Sequence, residues 1–282
     1  MNKKRENPLV SVIIPTFNRG WILKEAIDSV LAQNFKDFEL IVIDDGSTDN
    51  TPDILNSYKD DIVTFGQNNR GVSAARNRGI ALSSGRFIAF LDSDDLWMPN
   101  KLSTQVDFFN KNHDALICQT DEIWIRNNVR VNPKKRHKKL SGMIFEHSLD
   151  LCMVSPSAVM IKRKLFDKVG LFDEDLPACE DYDLWLRISC IYPVSLIDTP
   201  LAIKRGGHSD QLSRMPALDK YRIKALNKII ASSLLSGEQY RAAIKTLKEK
   251  CAIYANGCLK RGRADEALFY KTSSSSAIGI SS

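Results

Sequence analysis

The sequence predicts an α/β protein with a doubly wound, mixed sheet and a helical extension at its C-terminal end. Three observations carry this. Short β-branched runs alternate with segments of helical periodicity through the first hundred residues, the pattern of a right-handed, parallel βαβ wind. The loops after the first, second and fourth apolar runs are rich in polar and acidic residues. From Met215 onward the pattern is helical almost throughout.

In chain order, Leu9 to Ile14 forms the first strand, which Pro15 is expected to end because proline donates nothing to a central ladder. Thr16 to Gly20 reads as a loop. Ile22, Leu23, Ala26, Ile27, Val30 and Leu31 recur at helical spacing. Glu39 to Ile43 is a second buried strand, followed by Asp44-Asp45-Gly46-Ser47-Thr48-Asp49, where Asp49 is positioned to cap the next helix. Ile62 to Phe65 is a third strand, Asn68 to Gly71 a turn, and Val72 to Leu82 a helix that Gly85 is expected to close.

Phe87-Ile88-Ala89-Phe90-Leu91 then reads as the central strand, and Asp92-Ser93-Asp94-Asp95 follows at once. Crowded carboxylates repel unless a cation lies among them, and Mg²⁺ or Mn²⁺ prefers carboxylate and phosphate oxygens. Ligands of open α/β sheets bind beyond the carboxyl ends of the strands. The stretch therefore reads as a metal-diphosphate site, with a plain strand-to-loop turn as the alternative.

The second half is less regular. A helix is expected from Pro99 to about Asn112 and strands over Ala115 to Trp124 and Ser157 to Ile161. Lys134-Lys135-Arg136-His137-Lys138-Lys139 is too charged for a core: it is a solvated loop or a hold on anionic lipid. Glu180 to Ile191 is a helix with acids in its first turn, and Arg205 to Ser209 a flexible loop. The stripe Ala243, Leu247, Cys251 and Tyr254, with a short helix from Ala264 to Tyr270, makes a helical cap, and residues 273–282 are expected to be disordered. Trp97 and Trp124 are candidates for stacking on sugar faces, whereas Trp185 belongs to the core. His113, His137 and His147 show no ligand spacing.

The chain has 282 residues, with 40 Lys and Arg against 34 Asp and Glu. This mild excess suits phosphate-bearing ligands and does not point to nucleic acid. Six scattered cysteines without a Cys-x-x-Cys pair favour reduced thiols and a cytoplasmic compartment. No stretch approaches the roughly 18 apolar residues of a membrane span. A peripheral place at the inner face of the cell membrane stays open, as does the oligomeric state.

Val10 to Arg19 and Glu39 to Asp49 together resemble the opening of family 2 glycosyltransferases with the GT-A fold. Asn69 to Gly79, the Asp92-Ser93-Asp94-Asp95 stretch and Glu180-Asp181 follow in the family order and spacing, so the resemblance covers residues 8–210. It implies a GT-A domain over 1–210, with a nucleotide-sugar-binding half (8–112) and an acceptor half (113–210); the helical extension (211–272) lies outside it. The implied reaction moves a sugar from a nucleotide diphosphate donor, UDP-linked, to a hydroxyl of a carbohydrate or lipid-linked sugar, with inversion, as in cell-surface polysaccharide or glycolipid assembly. Asp181 matches the general base, and Asp94 the ligand of Mn²⁺ or Mg²⁺. Asp92 would touch the ribose or a metal-bound water, next to Ser93. Asp45 matches the carboxylate that accepts from the uracil ring, and Pro15, Thr16, Phe17, Asn18 and Arg19 would wall the base and meet its edge. Asn69, Gly71 and Arg76 complete the expected nucleotide site, and His208 is a further candidate metal ligand. Two other readings stand beside this one: a sugar-nucleotide nucleotidyltransferase, although no Gly-x-Gly-x-Arg loop follows the first strand, and a non-catalytic domain that binds polyanions.

Overall fold

The computed structural model describes residues 7–207, 211 and 215–276, with side chains described up to 272. Its sheet has nine strands in the order β3-β2-β1-β4-β8-β6-β9-β5, with β7 pairing β6. Strands β1 (Val10–Thr16), β2 (Phe38–Asp44), β3 (Val63–Gly66) and β4 (Phe87–Phe90) are parallel. Helices α1 (Leu23–Leu31), α2 (Thr51–Ser57) and α3 (Val72–Leu82) connect them. From there the sheet turns mixed: β8 (Val159–Lys162) runs antiparallel to β4 and to β6 (Ile117–Arg126).

The alternation of side chains along β1 sorts the core into two layers. Val10, Val12 and Ile14 face α1 and α4 (Lys101–Lys111), packing with Leu23, Ile27, Leu102 and Phe109. Ile13 points the other way, with Ile88 and Phe90, toward Leu184, Trp185 and Ile188 of α7 (Glu180–Ser189). The opposite side of α7 carries Tyr182 and Leu186. These join Phe145 and Leu149 of α5 (Phe145–Asp150) in a core shared with α8 (Leu218–Ala231), α9 (Gly237–Leu259) and α10 (Ala264–Ser276). Each large apolar side chain fully buried is worth about 1.5–3 kcal/mol. Clamped on both faces, α7 is held firmly. The helical extension thus buttresses the helix that carries Glu180 and Asp181.

Several expectations are corrected. Strand β1 continues through Pro15 to Thr16, because its ladder with β4 has already ended at Ile13 and the proline faces only β2. Helix α3 ends before Gly85, whose backbone lies so close to β1 that an added Cβ would sit 2.5 Å from Ser11 N. Asp49 stands one residue before the N-cap Asn50, accepting from Thr51 N (3.0 Å) and Gly20 N (3.0 Å). Arg205 and Gly206 are not loop: they end β9 (Ser195–Gly206). Ser195 to Lys204 has no clean alternation, and Asp198, Thr199 and Pro200 interrupt it. The structure absorbs them as register shifts between Thr120 and Glu122 of the partner strand β6, the place where a strand tolerates proline. The charged segment after β6 includes β7 (Val129–Val131), and its Lys139 is buried, paired with Glu122 at 3.3 Å. Residues 273–276, expected to be disordered, continue α10.

Candidate functional site

Where β1 and β2 run out, their loops are laced by backbone and side-chain hydrogen bonds. Ser47 Oγ accepts from Asn18 N (2.9 Å), Asn18 Oδ1 accepts from Thr48 N (2.8 Å), and Asp45 N donates to Thr16 O (2.8 Å). Asp45 is buried. Its Oδ1 accepts from Gln67 Nε2 (2.6 Å) and Arg70 N (3.0 Å), and its Oδ2 from Gly71 N (2.8 Å). Gly71 takes φ +89°, a backbone setting that glycine adopts without strain, and opens α3. A carboxylate has about four acceptor positions, so one remains on Asp45. Beside it, the buried Thr16 hydroxyl has no hydrogen-bond partner among the described residues.

The acid stretch follows β4 and leads straight into β5 (Leu96–Trp97), which pairs antiparallel with β9: Leu96 with Ile203 and Trp97 with Ala202. Extending that register sets Asp95 beside Lys204 and Asp94 beside Arg205. Arg205 N donates to Asp95 Oδ1 (2.8 Å), and Arg205 Nε donates to Asp94 O. Ser157 Oγ donates to Asp95 Oδ2 (2.7 Å). Burial, reinforced by Asp94 and Asp92, pushes the Asp95 carboxyl well above its ordinary range. Burial disfavours the charge on Lys204, yet Glu122, Asp95, Asp92 and Asp181 together raise its pKa. Neither Lys204 nor Arg205 stands out in the sequence. The signal available was the apolar run Leu201-Ala202-Ile203 leading into a basic pair before Gly206-Gly207.

Arg76, on α3, is buried between two carboxylates. Its Nη2 lies 2.8 Å from Asp92 and its Nη1 2.6 Å from Glu180. The guanidinium also stacks on Phe172 (5.2 Å), and the two acids hold it protonated against the cost of burial. Its charge is therefore compensated within the protein. The neighbouring Asn77 side chain exchanges hydrogen bonds with the Phe172 backbone (2.9 and 3.0 Å). These bonds tie α3 to the connection that precedes α7. Next to Glu180, Asp181 accepts from Tyr182 N (2.7 Å), and Cys152 Sγ lies 3.4 Å from its other oxygen. Burial and Asp181 together keep Cys152 a thiol.

The far wall is β6. Lys139 and Lys204 outweigh burial and hold Glu122 down to about 2. Glu122 accepts from the Trp124 indole N–H (3.2 Å), and His137 and Arg126 lie on that ring at 5.2 and 5.8 Å. His137, expected to be structural, thus faces the site. Trp97, expected to be free for sugars, is instead buried with its N–H given to Ser157 O (2.7 Å).

Glu122, Trp124, Arg126, His137, Lys139, Cys152, Glu180, Lys204 and Arg205 line one open cleft of about 850 Å³. Pro15, Thr16, Phe17, Asn18, Arg19, Asp45, Asn69, Gly71, Arg76, Asp92, Ser93, Asp94 and Asp181 all reach it. His208 lies outside the described residues. A parallel half ending in polar loops, a mixed second half and an acid-lined cleft across their junction make a GT-A transferase fold. S. aureus TarS 1-349, solved in complex with UDP-GlcNAc, superposes over 86% of this chain and 71% of its own (TM-score 0.70, 22% identity). A Pyrobaculum calidifontis mannosyltransferase, solved in complex with GDP-Man and Mn²⁺, covers 97% of this chain and 81% of its own (TM-score 0.59, 18% identity).

The chain belongs to glycosyl transferase family 2, whose pattern it matches over residues 11–170. An uncharacterised glycosyltransferase of Rickettsia typhi is 34% identical across 96% of this chain and 82% of its own length. For a longer Rickettsia felis relative, also 34% identical, 73% of this chain covers 35% of that protein. The UDP-Glc:alpha-D-GlcNAc-diphosphoundecaprenol beta-1,3-glucosyltransferase WfgD of Escherichia coli is 36% identical across 64% of this chain and 69% of its own length.

Among the described residues no three His, Cys, Asp or Glu side chains converge as a metal cage. A cation such as Mg²⁺ is commonly held by one or two carboxylates together with substrate phosphates. Asp92 and Asp94 both line the cleft.

Proposed function

We propose that this chain transfers a glycosyl group from a UDP-sugar to a hydroxyl of a lipid-linked glycan, with inversion at the anomeric carbon. The observation that carries the reading is the meeting of Asp45, Asp94 and Asp181 on one cleft, three carboxylates drawn from three separate parts of the chain. The acceptor class is supported by relatives named for diphosphoundecaprenol substrates.

The remaining acceptor position on Asp45 takes the uracil ring N–H, while Pro15 and Phe17 wall the base. The unpartnered Thr16 hydroxyl and the loop of Asn18 and Arg19 meet the base edge and ribose, and Asn69 and Gly71 close over the nucleotide. Arg76 acts by fixing Asp92 against the ribose. Lys204 and Arg205 place positive charge beside the donor phosphates. Mn²⁺ or Mg²⁺ held by Asp94 would supply Lewis-acid neutralisation of the leaving diphosphate. Asp181 accepts the proton of the attacking hydroxyl. A lipid-linked acceptor would hold the protein at the inner face of the membrane.

The test is incubation of the purified protein with UDP-glucose or UDP-N-acetylglucosamine and Mn²⁺. Slow release of UDP, accelerated by lipid-linked acceptor and giving a β-linked product, is expected. With pyrophosphate added, release of UTP and sugar 1-phosphate would instead mark a nucleotidyltransferase. Release of neither, or an α-linked product, sinks the proposal.

A further inference from the structure

The cationic wall formed by β6 and the segment after β7 has no role in donor chemistry, yet it is a built feature. At its foot the Lys139–Glu122 ion pair is buried. Glu122 fixes the Trp124 indole, and the ring carries Arg126 and His137 toward the cleft. Behind them stand the exposed Lys134, Lys135 and Arg136. Burial together with Arg136, Arg126 and Lys134 keeps the His137 imidazole below its ordinary pKa, as expected where positive potential is concentrated. Among the described residues no carboxylate pairs with Arg126, whereas in the same cleft Arg76 has two and Lys139 and Arg205 one each.

The sheet register separates this wall from the acid stretch. Trp124 pairs with Lys204 and Arg126 with Gly206, and β9 stands between β6 and the β5 strand that Asp92 to Asp95 lead into. Arg126 therefore lies two strand spacings, roughly 10 Å, from the acids. A pyranose bridges such a gap between the hydroxyl that reacts and a phosphate on its anomeric oxygen.

We propose that Trp124, Arg126 and His137 form a second anion subsite, which grips the phosphate or diphosphate carried by the acceptor sugar, apart from the donor diphosphate. The Trp124 ring positions Arg126 and His137, and the guanidinium gives a planar pair of donors to phosphate oxygens. The proposal rests on the glycosyltransferase reading and adds to it that the acceptor is anionic.

The test titrates protein already saturated with UDP and Mn²⁺ with farnesyl diphosphate, a probe carrying the lipid phosphate but neither sugar nor nucleotide. Farnesol and phosphatidylglycerol vesicles are run in parallel. Farnesyl diphosphate should bind in the presence of UDP while farnesol does not. Arg126→Gln and His137→Gln should each weaken it at least tenfold with UDP affinity within twofold of the parent. The proposal is overturned if both variants bind the probe as the parent does, or if UDP displaces it. It is equally overturned if the substitutions abolish vesicle sedimentation while leaving the probe bound, since the basic wall would then be a bilayer contact. Failure of UDP itself to bind is read in the first titration, and that outcome removes the donor reading beneath the proposal.

Discussion

The two sides of the cleft are built by different means. On the proposed donor side, short loops at the ends of parallel strands are laced through backbone groups, as when Asp45 gathers Arg70 N and Gly71 N. On the side formed by β5, β6 and β9, side chains far apart in sequence are placed by strand register and buried charge, as when Arg205 meets Asp95 and Lys139 meets Glu122. The first kind of site is written into contiguous stretches of chain. The second exists only after the sheet has closed, and it depends on pairs whose members are costly to leave alone. Arg76 joins the two, since it reaches Asp92 on one side and Glu180 on the other.

The comparison is sharpened most by separating chemistry from binding. Asp181→Asn should lower transfer to a lipid-linked acceptor by about 10²–10⁴-fold, the usual worth of a general base, and leave UDP affinity within twofold by calorimetry. Near-normal turnover would remove Asp181 from the reaction.

Breaking the join comes next. Arg76→Met strips two carboxylates of their shared partner, and losing one member of a buried ionic set costs about 3–5 kcal/mol. Because Asp92 is partly exposed, the lower end is expected from urea unfolding. UDP affinity should fall as well, since Asp92 loses its anchor. A stability change without a change in UDP affinity would confine Arg76 to the fold.

Metal removal probes the donor side alone. With UDP at 100 times its dissociation constant, binding should add about 2.7 kcal/mol. The accompanying rise in melting temperature should disappear in EDTA and return with Mn²⁺. A rise that persists in EDTA would show that the nucleotide is held without a cation.

The smallest effect is a control outside the cleft. Lys101 is fully buried, its ammonium 4.0 Å from the Trp97 ring and donating to Gln105 (2.6 Å), and burial drives its pKa down to about 7. An unfolded lysine titrates near 10.4. Between about 7 and 10.4 the unfolded chain holds a proton that the folded chain has released, so stability rises with pH there and is flat below. Lys101→Met should raise the melting temperature by a few degrees at pH 7 and remove that rise, with UDP affinity unchanged. A lower melting temperature would mean that the ammonium is stabilising where it sits.

The strands β1, β2 and β4, the helix α3, and the acids at 45, 92, 94 and 181 were legible because each sits in a local pattern. An apolar run ends, a turn begins, and the chemistry follows within a few residues. Asp181 needed more than periodicity, since acids in a first helical turn are ordinary, and the resemblance to a family singled it out. Lys204 and Arg205 were missed because β9 is interrupted by Asp198, Thr199 and Pro200, and only pairing with β6 and β5 turns that stretch into a strand. The burial of Lys139 is not legible because a run of six basic residues, read as a solvated loop or a hold on anionic lipid, offers no hint that one of them will find Glu122.

The sequence by itself determined the wind of the parallel half and the acids at its rim, since strand burial and loop polarity follow from the order of residues over short spans. Tertiary structure alone decided which cations face those acids, which tryptophan meets the cleft, and that a helical extension braces α7. Those outcomes depend on sheet register and on partners many residues away, and nothing local in the chain specifies either.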